Sequence, residues 1–386
     1  MAIPEKFDAI RPYEVEEIPL VLGELLADPQ FVEVLQGLGF GSGNTEQMQQ
    51  LAKCRTALDF QKAFVAPLIK KFILEKHCKG IHLDASQLQS QTGNYTYISN
   101  HRDIVLDSAL FDVLLVDNGF TDTVEIAIGD NLLAYPWIEK FVRLNKAFIV
   151  RRSLGIREML AGSKLLSEYM HHAINEKQQS LWIAQREGRA KDSNDRTQES
   201  LLKMLAMGGE GTLIERLKAL HIVPLSISYE YDPCDFLKAK EFQLKRDNPE
   251  YKKTPADDLE NMQTGIFGDK GRIAFVMGHC IDEELDQLAE MDKAMQLKSV
   301  AQLIDTQIFS NYTLYPCNYV ARDLLLGTEK GGYSVAEKTE FETYLASRLS
   351  LINIPNKDEA FLRERILTMY ANPLINHEAA TSSQKS

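Results

Sequence analysis

Thr96-Tyr-Ile-Ser-Asn-His-Arg-Asp-Ile-Val-Leu-Asp107 begins as a strand and ends as a helix, with polar residues at the junction. Apolar and aromatic side chains around Tyr95–Ser99 read as a strand. The run from Leu106 to Val116, interrupted by Asp107 and Asp112, reads as a buried helix. The same alternation continues downstream. Short apolar runs occur at Val124–Ile128, Ala147–Val150, Leu181–Ala184, Ile222–Tyr229 and Arg272–Met277. A helical stripe of Ile156, Met159, Leu160, Leu166, Tyr169, Met170, Ala173 and Ile174 fills one of the intervals. Strands alternating with helices predict an α/β fold with a largely parallel sheet flanked by helices. Unbroken apolar strands suit a sheet covered on both faces.

Upstream, residues 1–85 read as a helical N-terminal domain. Its apolar segments Ile18–Leu26 and Phe31–Leu38 are split by Asp28-Pro29, and a glycine-rich break runs from Gly39 to Asn44. Residues 86–386 read as the α/β domain with a helical C-terminal extension. Within it, Phe236–Gln263 is polar and charged and predicts an excursion or a long loop, and His377–Ser386 reads as a frayed tail.

Composition excludes several classes. The 386 residues are 44% hydrophobic and 25% charged, ordinary values for a globular protein. A formal net charge of −12 argues against general nucleic-acid binding. No apolar stretch is long enough to span a bilayer, and the N-terminus lacks the pattern of a signal peptide. Five widely spaced cysteines without a Cys-x-x-Cys predict a reduced, cytoplasmic protein, either free or peripheral on the inner face of a membrane. His77-Cys78 and His279-Cys280 lack the spacing of a zinc site, so no metal is expected. No cofactor is expected either. The segment 53–79 carries seven basic side chains against two acidic ones beside an apolar stripe of Leu58, Phe64, Val65, Leu68, Ile69, Phe72 and Ile73. That pattern fits a membrane-surface helix or a helix packed into the core.

The chemistry-bearing residues follow the strands. His101 lies just past the first, where side chains of an α/β sheet are presented to ligands. It can serve as a general base, with Asp103 or Asp107 to fix its tautomer. Arg151-Arg152 follows Ala147–Val150, and Glu187-Gly188-Arg189, with Lys191 beyond, follows Leu181–Ala184. Arginine suits phosphate because its planar fork makes two charge-assisted hydrogen bonds. Neither a Gly-x-Ser-x-Gly elbow nor a P-loop occurs.

In order along the chain, these segments resemble the glycerol-phosphate and lysophosphatidate acyltransferases. Asn100-His101 matches the start of that family's Asn-His-x-x-x-x-Asp block. Lys146–Arg152 matches Gly-x-x-Phe-Ile-x-Arg, with Lys146 in place of glycine. Glu187-Gly188 matches Phe-x-Glu-Gly-x-Arg, and Val223-Pro224 with Tyr229 matches Val-Pro-x-x-x-x-Tyr. Two departures stand out. The aspartate expected five residues after His101 is Leu106, with Asp107 one further on. The arginine expected at Ala190 is flanked by Arg189 and Lys191. The resemblance implies transfer of a fatty acyl group from acyl-CoA or acyl carrier protein to glycerol 3-phosphate or 1-acylglycerol 3-phosphate. His101 would be the base, Asp107 or Asp103 its partner. Arg152, Arg151, Glu187, Gly188, Arg189 and Lys191 would bind the acceptor phosphate. It leaves open another lipid acceptor, or a non-catalytic membrane-binding scaffold on the same fold.

Overall fold

The computed structural model describes residues 3–37, 45–133, 135–152 and 156–383. The expected glycine-rich break, Gly39–Asn44, lies outside them. Seven strands form a single sheet: β1 (Gly80–Asp84), β2 (Thr96–Ser99), β3 (Glu125–Gly129), β4 (Ala147–Val150), β5 (Leu181–Ala184), β6 (Ile222–Tyr229) and β7 (Arg272–Met277). Their spatial order is β1-β7-β6-β2-β5-β3-β4. The five strands β6-β2-β5-β3-β4 are mutually parallel, so all five end at one edge. β7 is antiparallel to β6, and β1 runs parallel to β7. The expected α/β architecture with a largely parallel sheet is therefore what forms.

Alternation along each strand builds two cores. Tyr97, Trp182, Val223, Leu225 and Ile227 face a cluster shared with the helix Leu106–Asp117 and with Ile18, Leu22 and Leu25 of the N-terminal helices. Ile98, Leu181, Ile183 and Ile222 face the other side, with Tyr169, Met170 and Ala173 of the helix Ile156–Asn175. Successive strand side chains point to opposite faces, so each strand must be apolar on both.

The basic segment 53–79 resolves the same way. From 57 to 77 it is one helical rod containing two π turns, Gln61–Val65 and Lys70–Leu74. Pro67, which has no N–H to donate, sits between them. Phe64, Val65, Ile69 and Ile73 are buried in the first core, so the stripe packs inward. Lys62 and Lys71 stay exposed, and Lys70 pairs with Asp117 at 2.5 Å.

Three segments differ from their sequence reading. Gly80–Asp84 is a strand at the sheet edge rather than the end of a helical region. Phe236–Gln263 is not a loop: it lies in two helices, Asp235–Asp247 and Pro255–Phe267. The first docks against the C-terminal helices through Ala239, and the second starts with a Thr254–Asp257 capping box. The described part of the tail, up to Ser383, is helical too, because the helix Glu359–Ser383 runs through His377, whose Nδ1 lies 3.0 Å from the Phe309 carbonyl oxygen. Among the described residues no helix is long and apolar enough to cross a membrane.

Candidate active site

The ends of β2, β3, β4 and β5 converge at the parallel edge. At the end of β2, Asn100 is buried and clamps the chain to β6. Its Nδ2 donates to the Ile227 carbonyl at 2.9 Å, and its Oδ1 accepts from the Ile227 N–H at 2.8 Å. Ser99 Oγ donates to the Asn100 carbonyl and accepts from Trp182 Nε1. His101 therefore leaves a fixed strand end.

Its imidazole Nδ1 is 2.8 Å from Asp107 Oδ2. The side chains are 15% and 1% exposed, so the pair is shielded but the ring still reaches solvent. The same oxygen accepts the backbone N–H of Arg102 at 2.7 Å and of Asp103 at 3.1 Å. Tyr229 at the end of β6 donates its hydroxyl to Asp107 Oδ1 at 3.3 Å. An ionised carboxylate only accepts, so Nδ1 carries the proton and Nε2 is the free base. This is the geometry of a general base with its orienting acid.

Asp103 does a different task. Its Oδ1 accepts the N–H groups of Val105 and Leu106, both at 2.9 Å, and so caps the helix Leu106–Asp117. Its carboxyl is raised by burial and by neighbouring Asp107, against the pull of those two amides. Of the two candidate partners for His101, Asp107 makes the contact.

The arginines lie at the same edge. Arg151 and Arg152 are exposed just past β4. The Arg152 N–H donates to Asp130 Oδ1 at 3.1 Å, and Arg152 Nη1 is 3.6 Å from Glu187 Oε1 in the turn after β5. The second and third sequence segments thus meet in space. Gly188 has φ +68 with open space around it, so this left-handed turn suits glycine and leaves the approach clear.

Residues 81–228 match the protein-family model described as Acyltransferase. The chain carries an acyltransferase-family domain. It is also similar to the solved 1-acyl-sn-glycerophosphate acyltransferase PlsC from Thermotoga maritima, at 11% identity and a TM-score of 0.39, over 74% of this chain and 91% of that one. That likeness is distant, and the family model and the site geometry carry the assignment. No curated protein matches the chain.

Within the acyltransferase domain the displaced aspartate and the lysine in place of glycine have structural counterparts. The extra residue before Asp107 falls in the turn that Asp103 caps, and Asp107 still reaches His101 from the first turn of the helix. Lys146, standing where the family block has glycine, has φ +61. It keeps the left-handed backbone that glycine would supply. Its buried Nζ is held by Asp122 at 2.5 Å, Gln179 Oε1 at 3.3 Å and the Thr123 carbonyl at 3.4 Å.

The two basic residues beside Ala190 part company with Arg152. Arg189 Nη2 donates to Asn261 Oδ1 at 3.1 Å, and Nη1 is buried with no hydrogen-bond partner among the described residues. Lys191 pairs with the buried Glu241, a carboxylate that also meets Lys245 and Lys253. Burial pulls the Lys191 ammonium down to about 8, against the hydrogen bond to Glu241.

Sequence reasoning missed the residues that cover this site. Asn261 and Glu241 belong to the two helices read as a loop. Gly265, on the second of them, lies so close to Asp103 that a Cβ there would come within 2.1 Å of Asp103 Oδ2. Arg102 was also unremarked. It is buried and reaches from the His101 turn to Ser193 Oγ at 2.5 Å and Asp195 Oδ2 at 3.4 Å, tying the β2 and β5 loops together. The capping boxes of the covering helix, readable at Thr254–Asp257, were the available signal.

Proposed function

We propose that this acyltransferase moves a fatty acyl group from a thioester donor, acyl-CoA or acyl carrier protein, to the hydroxyl of glycerol 3-phosphate or 1-acylglycerol 3-phosphate. The observation that carries this reading is the His101–Asp107 pair, 2.8 Å apart at the strand edge where Arg152 also stands. His101 Nε2 takes the acceptor hydroxyl proton as the oxygen attacks the thioester carbonyl. The C–S bond then breaks, and the departing thiolate recovers the proton from the imidazolium, which Asp107 has stabilised meanwhile. The acceptor is itself the nucleophile, so no covalent acyl-enzyme forms. Arg152 and Arg151 hold the phosphate through charge-assisted hydrogen bonds, while Arg189 is turned inward to Asn261. Lys191 is already neutralised by Glu241, so the phosphate site rests on Arg151 and Arg152.

The test is free-thiol release from long-chain acyl-CoA and from acyl carrier protein, each with a panel of acceptors. Release is expected only when a phosphorylated glycerol or its 1-acyl ester is present. Release only with a different lipid acceptor reassigns the substrate, and none with any acceptor favours the scaffold.

A further inference from the structure

The opposite end of the sheet brings together three side chains that the sequence keeps apart. His221 immediately precedes β6, while Cys280 and Asp282 follow β7. Because β6 and β7 are antiparallel, the start of one lies beside the end of the other. The Gly278 N–H donates to the Pro224 carbonyl at 2.8 Å, and the Ile281 N–H to the Ile222 carbonyl at 3.0 Å. His221, Cys280 and Asp282 each offer a ligand atom, and these atoms lie within 4.8 Å of one another.

Two further observations single out this trio. Asp282 Oδ2 is 2.6 Å from His221 Nδ1, but its Oδ1 is buried with no hydrogen-bond partner among the described residues. Buried carboxylate oxygens are ordinarily satisfied, and an orphan calls for an explanation such as a bound ion. Cys280 is buried beside it, whereas His221 is open to solvent and provides an entry path.

We propose that His221, Cys280 and Asp282 form a zinc site that staples the start of β6 to the end of β7. One nitrogen, one sulfur and one oxygen donor match the tetrahedral, borderline-soft preference of Zn²⁺, with water in the fourth position. Thiolate and carboxylate together balance the ion's charge, and the imidazole binds neutral. Binding breaks the Cys280 S–H bond and releases that proton to solvent. The site is structural and remote from catalysis. His101 is level with the far end of β6, roughly 20 Å away at ~3.3 Å per strand residue.

Cobalt titration of the metal-stripped full chain tests the proposal. One equivalent of Co²⁺ is expected to produce a near-ultraviolet thiolate-to-metal charge-transfer band and strong visible bands of tetrahedral cobalt, both erased by Zn²⁺. Cys280→Ser should lose the charge-transfer band, while Cys78→Ser, at a cysteine elsewhere, should keep it. His221→Asn should bind at least ~100-fold more weakly, more than the loss usual for an outer-shell partner. Asparagine is chosen because His221 has φ +46, which asparagine tolerates. Stoichiometric zinc should raise the melting temperature of the parent and not of Cys280→Ser. No charge-transfer band in the parent, or one that survives in Cys280→Ser, overturns the site.

Discussion

The loop after β2 and the Glu187-Gly188 turn after β5 meet at one edge of the sheet but are built in opposite ways. In the first, Asn100, His101, Arg102 and Asp103 each have hydrogen-bond partners in place, and Asp107 alone gathers the imidazole, two amides and a tyrosine hydroxyl. In the second, Glu187 and Gly188 are exposed, and the contact to Arg152 joins side chains that are 73% and 41% exposed. An exposed ion pair of that kind contributes about 0–1 kcal/mol. On the proposed mechanism the groups that would move a proton are held before any substrate arrives, whereas those that would meet an anion are left to be ordered by it. A preorganised group acts in the transition state, and a loose one acts mainly in binding. The two loops should separate kinetically.

The sharpest way to break that contrast is His101→Ala. It should lower kcat by at least ~100-fold, the loss expected for a positioned general base. The melting temperature should stay close to the parent's, because the ring borders solvent at a strand end. Near-normal turnover in a folded variant removes His101 from the mechanism, and with it the reason for the rigidity of its loop.

The two aspartates come next. In Asp107→Asn the amide oxygen can take the place of Oδ2 and still accept from the Arg102 and Asp103 N–H groups and from the ring, but the NH₂ then meets the Tyr229 hydroxyl and the negative charge that would stabilise the imidazolium is gone. A loss of roughly 100-fold in kcat is expected. Asp103→Asn keeps the cap on the helix Leu106–Asp117 and should stay within ~3-fold of the parent. Steady-state kinetics with the opposite ranking would place the orienting carboxylate at Asp103.

Arg152→Ala tests the exposed side of the contrast, through the arginine after β4 that meets Glu187 of the β5 loop. The apparent KM for the phosphorylated acceptor should rise ~10-fold, the value of one charge-assisted contact, with kcat and the donor KM little changed. Added salt should act in the same direction on the parent. A fall in kcat of the size seen in Asp107→Asn would mean that the arginine is as preorganised as the histidine.

What could be read from the sequence follows from this contrast as well. β4 to β7 were legible to the residue because strands buried on both faces are unbroken apolar runs. β1 was not, because Gly80-Ile-His-Leu-Asp84 is a short edge strand with only Leu83 buried. The covering helices were hidden because the first buries Lys238, Glu241 and Gln243, polar residues satisfied by Asp232, by Lys191 and by the backbone of Asn356 and Asp358 rather than forming an apolar stripe. For the same reason Asn261 and Glu241 could not be named as partners of Arg189 and Lys191. The His101–Asp107 pair was legible as two candidates, and only the helix start separated them. His221 could not be joined to Cys280, since strand direction and not spacing brings them together.

Lys146 carries the smallest expected effect and the cleanest local argument. A residue with a Cβ in the left-handed region costs about 1–2 kcal/mol relative to its ordinary conformation, and at φ +61 Lys146 bears that cost. Its Nζ contacts offset part of it, and the partner Asp122 is half-exposed and can be solvated when the lysine is gone. Lys146→Gly therefore loses the contacts but also relieves the backbone. Lys146→Ala loses the contacts and keeps the strain. Urea unfolding should place alanine about 1 kcal/mol below glycine, the usual preference of such a position. Acyl transfer should be unchanged in both, because Lys146 precedes β4 and Arg152 follows it. If alanine proves as stable as glycine, the position makes no demand for a left-handed residue, and the lysine stands there for its contacts alone.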